Sequence, residues 1–85
     1  MEQNEARLNI TFAGQNGDFP DPVPFDASDA EILRWSTEGV RSGGVPGVDL
    51  NATAEFTDFI VDRFSASEDH PFNRLMVRPK TPFGQ

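Results

Sequence analysis

Leu8, Ile10 and Phe12 alternate with Arg7, Asn9 and Thr11 near the start of the chain. Side chains on a strand point to opposite faces in turn, so this alternation predicts a strand with one buried side. Gly14-Gln15-Asn16-Gly17 follows, and its Asn-Gly pair is a strong hairpin signal because both residues tolerate positive φ. The next stretch, Phe19-Pro20-Asp21-Pro22-Val23-Pro24-Phe25, holds three prolines of one parity. Successive N–H groups of a strand point to opposite edges, so the three missing donors all fall on the same side. The odd residues keep their donors for the first strand, and Phe19, Val23 and Phe25 then face the core together. The segment reads as an edge strand blocked against further pairing. The competing reading is a polyproline-like extended arm.

Ser28-Asp29-Ala30-Glu31 is a capping box: the Ser28 hydroxyl accepts from the third helical N–H, and Glu31 reaches back to the Ser28 amide. Asp29 adds negative charge at the positive end of the helix dipole. Ile32, Leu33, Trp35, Gly39 and Val40 recur at helical spacing and give one apolar face. Ser42-Gly43-Gly44 ends the helix, with Pro46 as a stop beyond it. This glycine pair follows a helix rather than opening one and lacks a Lys-Ser/Thr companion, so it does not indicate a phosphate loop.

The second half is more ambiguous. Between Ala54 and Phe64, Phe56, Phe59, Ile60 and Phe64 share one helical face, and Asn51 or Thr53 is placed to cap such a helix. Phe59-Ile60-Val61 is nevertheless rich in strand formers, and a short run of this kind suits a strand buried on both faces. Strand is the reading adopted. Ser65 to Pro71 is a polar loop, and Asn73-Arg74-Leu75-Met76-Val77-Arg78 is a second strand. In it Leu75 and Val77 point one way, while Arg74, Met76 and Arg78 point the other. Pro79 and Pro82 end regular structure.

Composition narrows the function classes. An 85-residue chain has room for one small core, to which eight Phe and one Trp contribute much of the bulk. The absence of cysteine excludes disulfides and thiolate metal sites. A formal charge of −7 argues against nucleic acid, since affinity for phosphate backbones comes from Lys and Arg. The polar start, Met1-Glu2-Gln3-Asn4-Glu5, and the lack of any long apolar run point to a cytoplasmic protein without a membrane span. Arg74, Arg78 and Lys80 cluster late in the chain, either as an ordinary solvated surface or as a small cationic patch for an acidic partner. His70, beside Glu68, Asp69 and Pro71, reads as plain surface, and no serine has a local base. The pairs Asp26/Asp29 and Glu68/Asp69 do not match a calcium loop. No catalytic residue, metal site or cofactor is expected. Trp35 is either core or a partly exposed anchor for a partner.

The order is hairpin, helix, then two strands. In its first strand Leu8-Asn9-Ile10-Thr11-Phe12, the hairpin running through Phe25-Asp26-Ala27-Ser28-Asp29 into the helix, the Gly44–Gly47 turn and the last strand Leu75-Met76-Val77-Arg78, the chain resembles the ubiquitin-like β-grasp superfamily. The resemblance implies an α+β fold of ββαββ order, with one helix on a four-stranded mixed sheet. It implies that the second strand lies at a sheet edge and that the last strand pairs in parallel with the first. Residues 7–80 form the one domain, with residues 1–6 a disordered arm and residues 81–85 a flexible tail. The expected function is a small, non-catalytic, monomeric protein-interaction module. Its partner-binding residues are Arg74, Met76, Arg78 and Lys80, on a solvent-facing side shared with Asn9 and Thr11. The alternative is a ubiquitin-like modifier or carrier whose tail, at Gly84 and Gln85, is processed and used by a separate enzyme. The chain ends Pro82-Phe83-Gly84-Gln85 rather than in the Gly-Gly of conjugated members.

Overall fold

The computed structural model describes residues 4–80. Strand β1 (Glu5–Phe12) begins two residues before the expected Arg7, and its period-two pattern holds: Ala6, Leu8 and Ile10 are fully buried. Two short strands return along it, β2 (Gln15–Asp18) and β3 (Val23–Pro24). Helix α1 (Asp29–Ser42) follows, then β4 (Phe59–Phe64) and β5 (Asn73–Pro79). The result is one helix packed on a mixed five-stranded sheet of order β2-β1-β5-β4, with β3 also paired to β1. β5 runs parallel to β1, and the other pairings are antiparallel. The edge position of the second strand and the parallel pairing of first with last are both as expected.

The fifth strand arises where a single edge strand was expected. Phe19 donates to the Leu8 carbonyl at 2.8 Å, continuing the β2 register, whereas Val23 stands opposite Ala6. Pro20, Asp21 and Pro22 thus stand against Arg7 alone, a bulge of two extra residues that divides the strand. An even insertion preserves parity. Phe25 therefore still donates to Asn4, at 2.7 Å, and Phe19, Val23 and Phe25 all pack toward the core. Phe19 and Phe25 both keep their donors toward β1 across the bulge, so neither a continuous strand nor a free polyproline arm describes the segment.

The hairpin turn also differs from expectation. Phe12 pairs with Gln15, so the turn is the two residues Ala13 and Gly14, at φ 53° and 77°, while Asn16 and Gly17 lie inside β2. The physical reason lies across the sheet edge. A Cβ on Gly17 would sit 1.9 Å from the Pro46 carbonyl oxygen, so this glycine serves close approach of the Val45–Val48 turn and not chain reversal. Val45 and Val48 are buried by that turn, and Gln15 exchanges hydrogen bonds with Asp49 beside it.

Helix α1 starts with the complete capping box, Glu31 N–H to Ser28 Oγ at 3.1 Å and Ser28 N–H to Glu31 Oε1 at 3.3 Å. It ends at Gly43, in the left-handed region at φ 75°. Ile32, Gly39 and Val40 are buried as the spacing predicts, with Leu33 and Trp35 partly so. Ser36 is also fully buried, its hydroxyl satisfied by the Ile32 carbonyl at 2.8 Å. After the helix, Asn51 caps a local turn through Thr53 instead of a second helix. Ala54 and Phe56 are buried ahead of β4, and Phe12, Phe56 and Phe59 close one end of the core with ring centroids 4.6–5.9 Å apart. β4 is not buried on both faces. It is an outer strand, half-buried over Phe59–Asp62 and exposed at Arg63 and Phe64.

Arg63 connects that strand to the start of the helix. It donates to the Phe25 carbonyl at 2.8 Å, to the Ala27 carbonyl at 2.7 Å and to the Asp29 carboxylate at 2.6 Å. Gly17→Ala should lower the free energy of unfolding by at least about 2 kcal/mol through overpacking against backbone, whereas Gly14→Asn, in open space, should change it by under about 1 kcal/mol. Urea titration of both variants checks the contrast. By the same measurement, Arg63→Ala should cost about 2 kcal/mol, because three charge-assisted or carbonyl contacts are lost together.

Candidate functional site

The helix covers one side of the sheet, where Leu8, Ile10, Leu75 and Val77 are fully buried. Strict alternation sends the remaining residues of the two central strands to the other side. The registers align them in rows. Arg7 of β1 stands beside Arg74 of β5, which stands beside Phe64 of β4. The next row is Asp18, Asn9, Met76 and Asp62, across all four ordered strands. Beyond it lie Asn16 with Thr11 and Arg78 with Ile60.

The two halves of this open face are chemically distinct. On β2 and β1 an amide network satisfies itself: Asn9 donates to Asn16 and to Asp18, each at 2.9 Å. Asn16 donates back to Asn9 at 2.8 Å and to Thr11 at 2.9 Å. On β5 and β4 the surface is arginine, methionine and aromatic. Arg78 donates to the Asp62 carboxylate at 2.6 Å. The Arg74 guanidinium lies over the Phe64 ring, 4.9 Å from its centroid, and that of Arg7 lies over Phe72 at 4.5 Å. Phe64 and Phe72 are 41% and 37% exposed, large values for side chains of their size. Arg7, Asn9, Asn16, Asp18, Arg74 and Met76 line a cleft of about 330 Å³ between the halves.

Of the residues expected to bind a partner, Arg74, Met76 and Arg78 are brought together, half-buried on this one face. Lys80 is exposed just past the strand, where its N–H donates to the Asp58 carbonyl at 2.7 Å. Gly84 and Gln85 lie outside the described residues. Sequence reasoning did not place Arg7, Asp62, Phe64 and Phe72 on this face. The signal for Arg7 was its outward parity on β1. The signal for Phe64 was parity opposite to Phe59 and Val61, masked by reading β4 as buried throughout.

Other candidates resolve into structural roles or plain surface. Asp29 is engaged by Arg63 and belongs to the helix start. His70 is exposed, and its backbone carbonyl accepts from Ser67 while its N–H donates to the Ser67 hydroxyl. Trp35 is half-buried, and beside it Phe19, Pro20 and Gly39 border a hollow of about 280 Å³. Among the described residues there is no group of three or more His, Asp or Glu able to hold a metal ion, and no helix is long and apolar enough to cross a membrane. What the open face offers chemically is stacking, apolar contact and guanidinium donors. Comparison with protein-family models finds none that matches this chain, and neither a curated protein nor a solved structure matches it.

Proposed function

We propose that this chain is a small, non-catalytic protein-interaction module of ubiquitin-like β-grasp type, docking on a protein partner through the open face of its sheet. The observation that carries the reading is the outward row of the inner strand β5, where Met76 lies half-buried between Arg74 and Arg78 with Phe64 exposed beside them. Aromatic residues, Met and Arg are the types enriched at the centres of protein interfaces. Met adapts its shape to a partner, and an arginine already stacked on a ring has less freedom to lose on binding. The β-grasp assignment is supported by strand order, by the capped helix between the hairpin and the last two strands, and by the parallel pairing of β1 with β5.

Substitution at the centre of the face tests it. Met76→Glu combined with Arg78→Gln should reduce recovery of bound protein from a lysate at least about ten-fold, as loss of a central contact does. The thermal midpoint should stay within a few degrees, because both side chains lie outside the core and exposed ion pairs contribute roughly 1 kcal/mol or less. Undiminished recovery by a folded double variant would remove this face from the function.

A further inference from the structure

Arg7 and Arg74 stand directly opposite each other on parallel neighbouring strands. Like charges so placed repel, and elsewhere the protein balances its strand arginines, Arg63 with Asp29 and Arg78 with Asp62. Among the described residues, the guanidinium groups of Arg7 and Arg74 make no ion pair and donate no hydrogen bond. The Nε of Arg74 is shut off from solvent without an acceptor. A buried donor left in this state has given up water for nothing in return. Both guanidinium groups are held in place by rings, Arg7 by Phe72 and Arg74 by Phe64, and both wall the same cleft.

We propose that Arg7 and Arg74 form a carboxylate clamp, taking the side chain of a Glu or Asp from an acidic segment of a partner protein. This rests on the open face being the docking surface and names what is recognised there. The planar fork of arginine matches a carboxylate, and two forks give the carboxylate a donor for each oxygen. Met76 in the cleft wall, and the exposed Phe64 and Phe72 behind the two arginines, supply apolar contact for the chain on either side of the acid. A nucleic acid fits less well. Its phosphates extend over many charges, and the protein carries −7 overall with Asp18 in the cleft wall. A single carboxylate meets the two guanidinium groups together, while the Asp18 carboxylate in the same wall is already engaged by the Asn9 amide.

The probe is a short fluorescein-labelled peptide alternating glutamate and phenylalanine, with a glutamine-for-glutamate counterpart, titrated into the full chain and followed by anisotropy. The glutamate peptide should bind, and the glutamine peptide, Arg7→Gln and Arg74→Gln should each weaken binding at least about ten-fold. Arg34→Gln, the same charge change on an exposed part of the helix, should weaken it less than about two-fold. Arg74→Lys keeps charge and stem but loses the fork. It should weaken binding too, so a folding loss in Arg74→Gln does not hide the result. Equal binding of the two peptides, or an Arg34→Gln effect as large as that at Arg74, overturns the clamp. Inorganic phosphate competing as well as the peptide, or a single-stranded oligonucleotide binding more tightly, also overturns it. If the clamp fails while Met76→Glu with Arg78→Gln still abolishes partner recovery, the docking face stands and only its assignment to a carboxylate falls.

Discussion

Parallel pairing of β1 with β5 is the constraint on which the rest of the structure depends. It joins segments from opposite ends of the chain in the interior of the sheet, and parallel strands cannot be joined by a tight turn. The helix and β4 must therefore lie between them in sequence. The inward residues of both strands, Ala6, Leu8, Ile10, Leu75 and Val77, are completely buried, which makes register nearly obligatory, since a one-residue slip would expose them all. Asn73 reinforces it at one end. Its amide donates to the Glu5 carbonyl at 3.0 Å and its side-chain oxygen accepts from Ala66 at 2.8 Å, so a buried polar group holds three segments together. The same register determines the other face, because it is what sets Arg7 beside Arg74 and Asn9 beside Met76.

The margins of the sheet are managed differently. Beside β1, prolines of one parity, the bulge at Pro20–Pro22 and the Val45–Val48 turn against Gly17 all work against pairing by another strand. At the other margin, Asp62 and Arg63 interrupt an otherwise apolar β4, and Arg63 is drawn over to the Phe25–Asp29 segment. With the helix occupying one side, the sheet surface left open is the row structure on the other. The fold thus leaves one broad face of the sheet uncovered by its own elements.

Features governed by local chemistry were legible in the sequence. The capping box, the glycine stop, the alternation in β1 and β5, and the outward placement of Arg74, Met76 and Arg78 depend on neighbours within a few positions. Features that depend on distant contacts were not. Asn16-Gly17 has ideal turn chemistry, yet the approach of Pro46 claims Gly17 for the strand and leaves the turn to Ala13-Gly14, with an alanine in the left-handed region. Phe59-Ile60-Val61 carries the composition of an interior strand, but the parallel β1–β5 pair takes the interior, so β4 lies outside it. Arg7 was legible only as an outward-facing residue of β1, because it is the exact β1–β5 register, set across most of the chain length, that brings it to Arg74.

Charge balance then constrains how such a face can work. A protein of −7 repels an acidic partner at a distance, but at physiological ionic strength that repulsion is screened beyond about 8 Å. On the proposed clamp, recognition would therefore come from contacts made inside that range, where two unpaired guanidinium groups outweigh a diffuse negative field. Arginine suits this better than lysine would. Its guanidinium is weakly hydrated and stacks on Phe64 and Phe72, so it would meet an incoming carboxylate already oriented and partly dehydrated. Lys80, exposed and off the end of the strand, has no such support. Specificity for a carboxylate would thus come from the stacked pair at Arg7 and Arg74, and not from positive charge summed over Arg74, Arg78 and Lys80.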